Sequence, residues 1–286
     1  VQLEYPGNVH AHIYVSWLHP YKQQLLVVAG LCVLPWLNAA ELRQISGSFF
    51  ALDFFGIPFA DPVGAAQVAA MGFLPSERLL GGALISLALA LVLGRVFCSW
   101  ICPYGFFSEL AHWARGRQGG AHVKEGRAFA GKALLLGAGL VAALVAGFPA
   151  MGIVSLPGEL SLLPMLVWQG GDFWLLLGAV AVPLAALALE LVVGKRLWCR
   201  FVCPQSVLLG AAAQCLPAKA PGLRIGWQAA NCTCKGKAPC QQACSLELNP
   251  RRKGGPERRD CTHCGDCVNT CASYGKALEW RGMGQR

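Results

Sequence analysis

The sequence predicts an all-α membrane bundle of four transmembrane helices, arranged as two repeated hairpins, with a small cysteine-rich module at its C-terminal end. Three observations predict it. Hydrophobic residues make up 55% of the 286 and charged residues only 14%, where an ordinary soluble domain carries about 25% charged residues. The apolar residues gather into four long stretches. Eight of the fourteen cysteines fall between residues 232 and 271. This balance excludes a disordered or collagen-like chain. It also leaves no recognition fold for nucleic acid, so no nucleic-acid partner is expected.

The stretches are residues 23–40, 79–94 (extended through 108 and broken by Arg95), 133–158, and 173–194 (broken by Glu190). Each supplies about 20 residues, enough at 1.5 Å rise to cross a ~30 Å hydrocarbon core. Pro35 and Asn38 interrupt the first. No cleavable leader is expected, because no basic segment precedes a short apolar run.

Charge orients the bundle. The connection between the second and third stretches carries Arg95, Arg115, Arg117, Lys124, Arg127 and Lys132. The region from 195 to 286 holds 15 Lys and Arg against five Asp and Glu. The other two connections are acidic or nearly uncharged. Because Lys and Arg favour the cytoplasmic side, both termini are expected there. The expected location is a bacterial inner (cytoplasmic) membrane, with the bilayer as the first partner. The expected domains are an N-terminal arm (1–22), the membrane domain (23–216) and the C-terminal module (217–286). His10, His12 and His19 in the arm read as metal or partner contacts, or as a plain polar arm.

A repeat runs through the bundle. Arg95-Val-Phe-Cys98-Ser-Trp-Ile-Cys102-Pro103 matches Arg196-Leu-Trp-Cys199-Arg-Phe-Val-Cys203-Pro204. Each copy closes one hairpin at its cytoplasmic end, as in parallel-repeat transporters. On a helix, i and i+4 thiols share a face, which suits two ligands of one centre better than a relaxed disulfide. The proline after each pair bends or ends the helix. Cys98, Cys102, Cys199 and Cys203 read as a metal or cluster site, a redox-active thiol set, or packing. Glu190 is either functional or a snorkelling acid. Trp100, Trp113, Trp198 and Phe201 read as interfacial anchors.

The most specific motif is Cys261-Thr-His-Cys264-Gly-Asp-Cys267-Val-Asn-Thr-Cys271. This is the C-x2-C-x2-C-x3-C run of bacterial ferredoxins, in which three thiolates hold one cubane and the fourth reaches a second. C-x2-C pairs also build zinc sites. Cys232, Cys234, Cys240 and Cys244 form a second, irregular run. By the crossed rule, Cys232, Cys234, Cys240 and Cys271 hold cluster 1. Cys261, Cys264, Cys267 and Cys244 hold cluster 2. The module is therefore expected to be ferredoxin-like, with two 4Fe-4S clusters, while the C-x3-C-P cysteines of the membrane domain are a candidate third metal or cluster site. Lys235, Lys237, Arg251, Arg252, Lys253, Arg258 and Arg259 read as a basic shell that raises the cluster potentials and meets anionic lipid. Cys32 and Cys215 stand apart as apolar residues.

Taken together, these residues resemble the NapH-type membrane ferredoxins, relatives of the MauN, NosR and CcoG groups. The resemblance extends from about Ser46 to Ala277. It includes Leu52-Asp53, Pro58, Asp61-Pro62 and Gln67, then Gly94 through Pro103, Ala111-His112-Trp113, the second C-x3-C-P, and both C-terminal runs. The irregular first run departs from the family pattern. The resemblance implies a quinol dehydrogenase subunit that draws on the quinone pool. It would deliver electrons to a periplasmic ferredoxin or c-type cytochrome subunit, and thence to a terminal reductase. Asp53, Asp61 and Gln67, in the first outer loop, are the candidate quinol or partner contacts. The alternative is a maturation or copper-handling redox factor serving another metalloenzyme; a zinc-stabilised membrane scaffold is a third reading.

Overall fold

The computed structural model describes residues 25, 28–40, 44–48, 50–114, 125–152, 155–217, 220, 222–234 and 238–281. The N-terminal arm, with His10, His12 and His19, lies outside the described residues. So do Lys235 and Lys237.

The chain is mostly helical. Among the described residues, helix α1 is Val28–Ala39. Asn38 makes two bonds with the backbone of Gly47, at 3.0 and 2.8 Å, and so fastens the helix end to the first strand. An antiparallel meander follows: β1 (Ile45–Ser48), β2 (Ala51–Phe54) and β3 (Ile57–Ala60). Phe55 and Gly56, both with positive φ, form the two-residue turn between β2 and β3, which matches the twist of a hairpin. Helix α2 is Pro62–Ala70, with Asp61 as its N-cap.

Helix α3 (Glu77–Leu93) has 17 residues. The sequence reads as one span continuing to 108, but the helix stops at Gly94. Gly94 takes φ +76° and ψ −157°, a conformation open essentially to glycine alone. Helix α4 (Val96–Trp100) is a single short turn, and α5 (Pro103–Ala114) starts on Pro103. That proline therefore ends one helix and opens the next, where its missing N–H costs nothing.

Helix α6 runs over Glu125–Ala146, not 133–158. It enters earlier because Lys132 is buried and paired with Asp260 at 3.4 Å, and it ends at Gly147 (φ +69°). Helix α7 (Leu156–Trp168) occupies what reads as a short outer loop. Helix α8 (Phe173–Val193) coincides with the fourth stretch. A π-helical turn, Trp198–Val202, leads to α9 (Gln205–Cys215).

Among the described residues two helices are long and apolar enough to cross a membrane: Arg127–Ala146, mean hydropathy 2.0, and Phe173–Val193, mean hydropathy 2.4. α1 and α7 are apolar but shorter. The segment expected to form the first outer loop is not a loose excursion. Ala60 of β3 lies against Gly82 of α3, and Ser86 Oγ donates to the Ala60 carbonyl at 2.9 Å. Val63 of α2 packs with Leu136, Met151 and Val207.

The C-terminal part contains β4 (Arg224–Trp227) paired antiparallel with β5 (Leu278–Arg281), and the short helices α10 (Pro239–Gln242) and α11 (Asp266–Ala272). It sits on the helices rather than apart from them. Arg258 donates to the carbonyls of Leu91 and Val92 at the end of α3, and to those of Ala213 and Leu223. A cation there satisfies orphan carbonyls and meets the negative end of the helix. Arg258 reads as part of a solvated basic shell in the sequence; in the fold it is a buried strut.

Candidate metal centres

The two C-x3-C-P motifs fold alike. Cys102 N donates to the Phe97 carbonyl at 2.8 Å, and Cys203 N donates to the equivalent Trp198 carbonyl at 2.9 Å. In each copy this i to i−5 bond widens the last turn, and the proline then starts the next helix. The four thiols, Cys98, Cys102, Cys199 and Cys203, are all buried. They are electrostatic neighbours of one another across the repeat. Gly105 N donates to Cys102 Sγ at 3.3 Å. A Cβ at Gly105 would stand 2.3 Å from the Cys98 carbonyl, so only glycine lets the two motif segments close.

Two further thiol sets lie in the C-terminal part. Cys232, Cys234, Cys240 and Cys271 line one cleft with Trp227, Arg251 and Tyr274. Cys244, Cys261, Cys264 and Cys267 line another, with Ile225 and Leu248. The irregular first run thus reaches Cys271, and the last cysteine of that run, Cys244, turns to the other set. Among the described residues no three His, Cys, Asp or Glu side chains converge closely enough to hold a single ion.

Burial, reinforced by neighbouring thiols, pushes Cys240 up to about 11 and Cys203 up to about 12. Burial also pushes Cys261 to about 12, against the backbone bond from His263. Such thiols keep their protons until a cation displaces them, so iron binding here releases protons. The donor set therefore fits iron–sulfur chemistry.

The first motif docks on the loop around Cys261. Arg95 donates to the Arg259 and Asp260 carbonyls, both at 3.2 Å. Ser99 Oγ reaches the Thr262 carbonyl at 2.6 Å, and Trp100 Nε1 the His263 carbonyl at 3.3 Å. Trp100 reads as a lipid anchor in the sequence, but its indole is turned into this contact. The second motif docks beyond Cys244. Arg196 reaches Ser245 Oγ at 3.1 Å, while Arg200 binds the Leu246 carbonyl at 2.6 Å and Glu247 at 2.8 Å. One contiguous buried cluster contains Cys102, Cys199, Cys240, Cys261, Cys267 and Cys271. His263 packs between Gly94 and Trp280. Burial, then Arg258 and Arg95, hold its imidazole down at about 4, hence neutral.

Other residues fall outside these sets. Asp53 caps the β2–β3 turn through Gly56 N (2.9 Å) and faces Arg78 at 3.7 Å. Asp61 Oδ1 accepts from Val63 N, and Gln67 Oε1 accepts from Met151 N at 2.9 Å. All three candidate quinol residues thus bond within the fold. Glu190 is buried and accepts from Ser108 Oγ (2.5 Å) and Trp198 N (2.8 Å), so it braces the second motif rather than reaching for water. Cys32 and Cys215 are exposed. Arg95, Arg196, Arg200 and Lys132 do not stand out in a cysteine search. The repeat carries a signal for two of them, an arginine three residues ahead of each first cysteine.

A family model described as a 4Fe-4S binding domain matches residues 78–120 and 173–223, the segments that hold the two C-x3-C-P motifs. The chain is homologous to the NapH and MauN ferredoxin-type proteins. It is 28% identical over 261 residues to ferredoxin-type protein NapH of Escherichia coli (strain K12), covering 87% of this chain and 84% of that one. To methylamine utilization ferredoxin-type protein MauN of Methylorubrum extorquens it is 29% identical over 270 residues, covering 93% and 77%. To ferredoxin-type protein NapH of Haemophilus influenzae it is 27% identical over 286 residues, covering 93% and 89%. No solved structure matches the chain.

Proposed function

We propose that this is a membrane electron-transfer subunit coupling quinol oxidation, through iron–sulfur clusters, to a periplasmic ferredoxin or c-type cytochrome subunit and a terminal reductase. The observation that carries this reading is the single buried cluster that draws on all three thiol sets, with Cys102 and Cys199 from the repeat and seven cysteines from the C-terminal part. Cys232, Cys234, Cys240 and Cys271 would hold cluster 1. Cys244, Cys261, Cys264 and Cys267 would hold cluster 2. Cys98, Cys102, Cys199 and Cys203 would hold a third, beneath the second set. When bound, 4Fe-4S clusters supply one-electron exchange at potentials set by charge and by hydrogen bonds to sulfur. The chain's part is to exclude water, supply N–H groups to the sulfurs, and lock the sets together through Ser99, Trp100, Arg200 and Glu247.

The membrane arrangement belongs to the same reading. Helices α1, α3, α6 and α8, which fall on the four apolar stretches, would form four spans in two hairpins, supported by two helices of spanning length and by the Lys and Arg bias. Both termini are cytoplasmic. The arm is 1–22, the membrane domain 23–216, and the ferredoxin-like module 217–286. The outer segment with Asp53, Asp61 and Gln67 is the quinol or partner face. There Asp53 is the group nearest solvent, while Asp61 and Gln67 shape the segment.

EPR of anaerobically purified protein tests the reading. Reduction by dithionite is expected to develop cubane signals, and a quinol analogue to reduce at least one of them. Signals that respond to dithionite but never to quinol would end the quinol assignment. Copper bound stoichiometrically at Cys98, Cys102, Cys199 and Cys203, ligands soft enough to select Cu(I), would instead establish the copper-handling factor.

A further inference from the structure

Each copy of the repeat places one buried arginine against one buried thiol. Arg95 is 1% exposed and Arg196 3%. Arg95 Nη2 lies 3.8 Å from Cys98 Sγ, and Arg196 Nη2 lies 3.6 Å from Cys199 Sγ. Their remaining bonds go to neutral oxygens. Arg95 takes the Arg259 and Asp260 carbonyls; Arg196 takes Ser108 Oγ, Ser245 Oγ and the Gly105 carbonyl. Among the described residues no carboxylate is within ion-pair distance of either guanidinium. The nearby buried cations differ, since Lys132 pairs with Asp260 at 3.4 Å and Arg200 with Glu247 at 2.8 Å.

A buried charge is costly unless it is paired. A neutral thiol is a weak acceptor and cannot offset a guanidinium. A thiolate in a metal-bound set can, because it carries charge and accepts the charge-assisted N–H···S bond. Each arginine also holds a loop that bears a ligand of cluster 2, Arg95 just before Cys261 and Arg196 just after Cys244. The same two cations therefore meet the four-thiol set and fix its neighbour.

Resting on the reading that Cys98, Cys102, Cys199 and Cys203 hold a cluster, we infer that Arg95 and Arg196 are positioning residues that set its reduction potential. Adding an electron makes the cluster more negative. Two buried cations hydrogen-bonded to its sulfurs favour that state and raise the potential.

The test is an EPR-monitored redox titration of the full-length protein in detergent. The signal of the four-thiol set is identified first as the one lost in Cys98→Ser. In Arg95→Gln and in Arg196→Gln that signal is expected at lower potential, with at least a tenfold change in the reduced-to-oxidised ratio at fixed potential, or 59 mV for one electron. The signals lost in Cys240→Ser and Cys264→Ser are expected to shift less. An unshifted four-thiol signal, or an equal shift of all three, overturns the inference. Arg95→Lys and Arg196→Lys keep the charge without the fork and are expected to stay within tenfold of the parent. They carry the test if the Gln variants do not accumulate, and a tenfold or larger shift in them overturns it as well. A parent protein with no signal sensitive to Cys98→Ser overturns the cluster reading itself, an outcome distinct from an unshifted signal.

Discussion

Gly94→Ala tests whether the helix break and the docking of the Cys261 loop are one device. Gly94 holds φ +76° and ψ −157°, where a residue with a side chain pays about 1–3 kcal/mol. The new Cβ would lie 2.4 Å from His263 Cε1 and 2.7 Å from Nδ1. His263 is 1% exposed and stacked on Trp280 at 6.4 Å between centroids, so its ring has no open space to enter. Overpacking of this kind costs about 1–3 kcal/mol. The sum, about 2–6 kcal/mol, corresponds to a melting temperature lower by roughly 3–10 °C in a chain of this size. Thermal unfolding followed by tryptophan fluorescence in detergent measures it. His263→Ala removes the clash but not the backbone cost, so a double-mutant cycle should return about 1–3 kcal/mol of coupling. A Gly94→Ala cost below about 1 kcal/mol, or a cost that is the same with and without His263, would refute the reasoning.

Three further outcomes follow from the same geometry. Serine at Cys271 should disturb the EPR signal that serine at Cys232, Cys234 or Cys240 disturbs, while serine at Cys244 joins Cys261, Cys264 and Cys267; the uncrossed pattern would contradict the pairing. Glu247→Gln leaves Arg200 (2.8 Å) and Lys195 (3.4 Å) without their ion-pair partner. With Arg200 and Glu247 both buried, the loss should be about 3–5 kcal/mol, read as a lower melting temperature; a change within ±0.5 kcal/mol would show the pair to be idle. Burial pushes the Asp61 carboxyl up to about 6 from its ordinary 3.8, against the N–H groups of Val63 and Gly64. The folded chain therefore holds a proton that the unfolded chain has released, and this contribution, full below the unfolded value, is lost as pH rises through about 6. The melting temperature of the parent should fall relative to Asp61→Asn between pH 4 and pH 6, and parallel curves would contradict the placement.

The repeat was legible because it is fixed by spacing. Arg95 to Pro103 and Arg196 to Pro204 fold into the same i to i−5 turn, and the irregular first run still brings Cys240 to Cys271. Helix α8 was legible too, being uncharged until Glu190. The other boundaries were not, because hydropathy responds to apolar content and not to backbone sign or distant partners. It runs through Gly94, whose positive φ ends α3. It treats Lys132 as an end, although Asp260, 128 residues away, lets that lysine enter α6. The strands β1 to β3 are four residues each, too short for alternation to show. Arg258 looked solvent-facing because its carbonyl partners lie on α3 and α9.

Iron and acid-labile sulfide, counted per chain after oxygen-free purification, test the central claim most directly. The account predicts equal iron and sulfide, enough for three cubanes. It further predicts that a full cubane's share disappears when the four cysteines of any one set are replaced. A colourless protein carrying zinc in place of iron, or no labile sulfide at all, would contradict it.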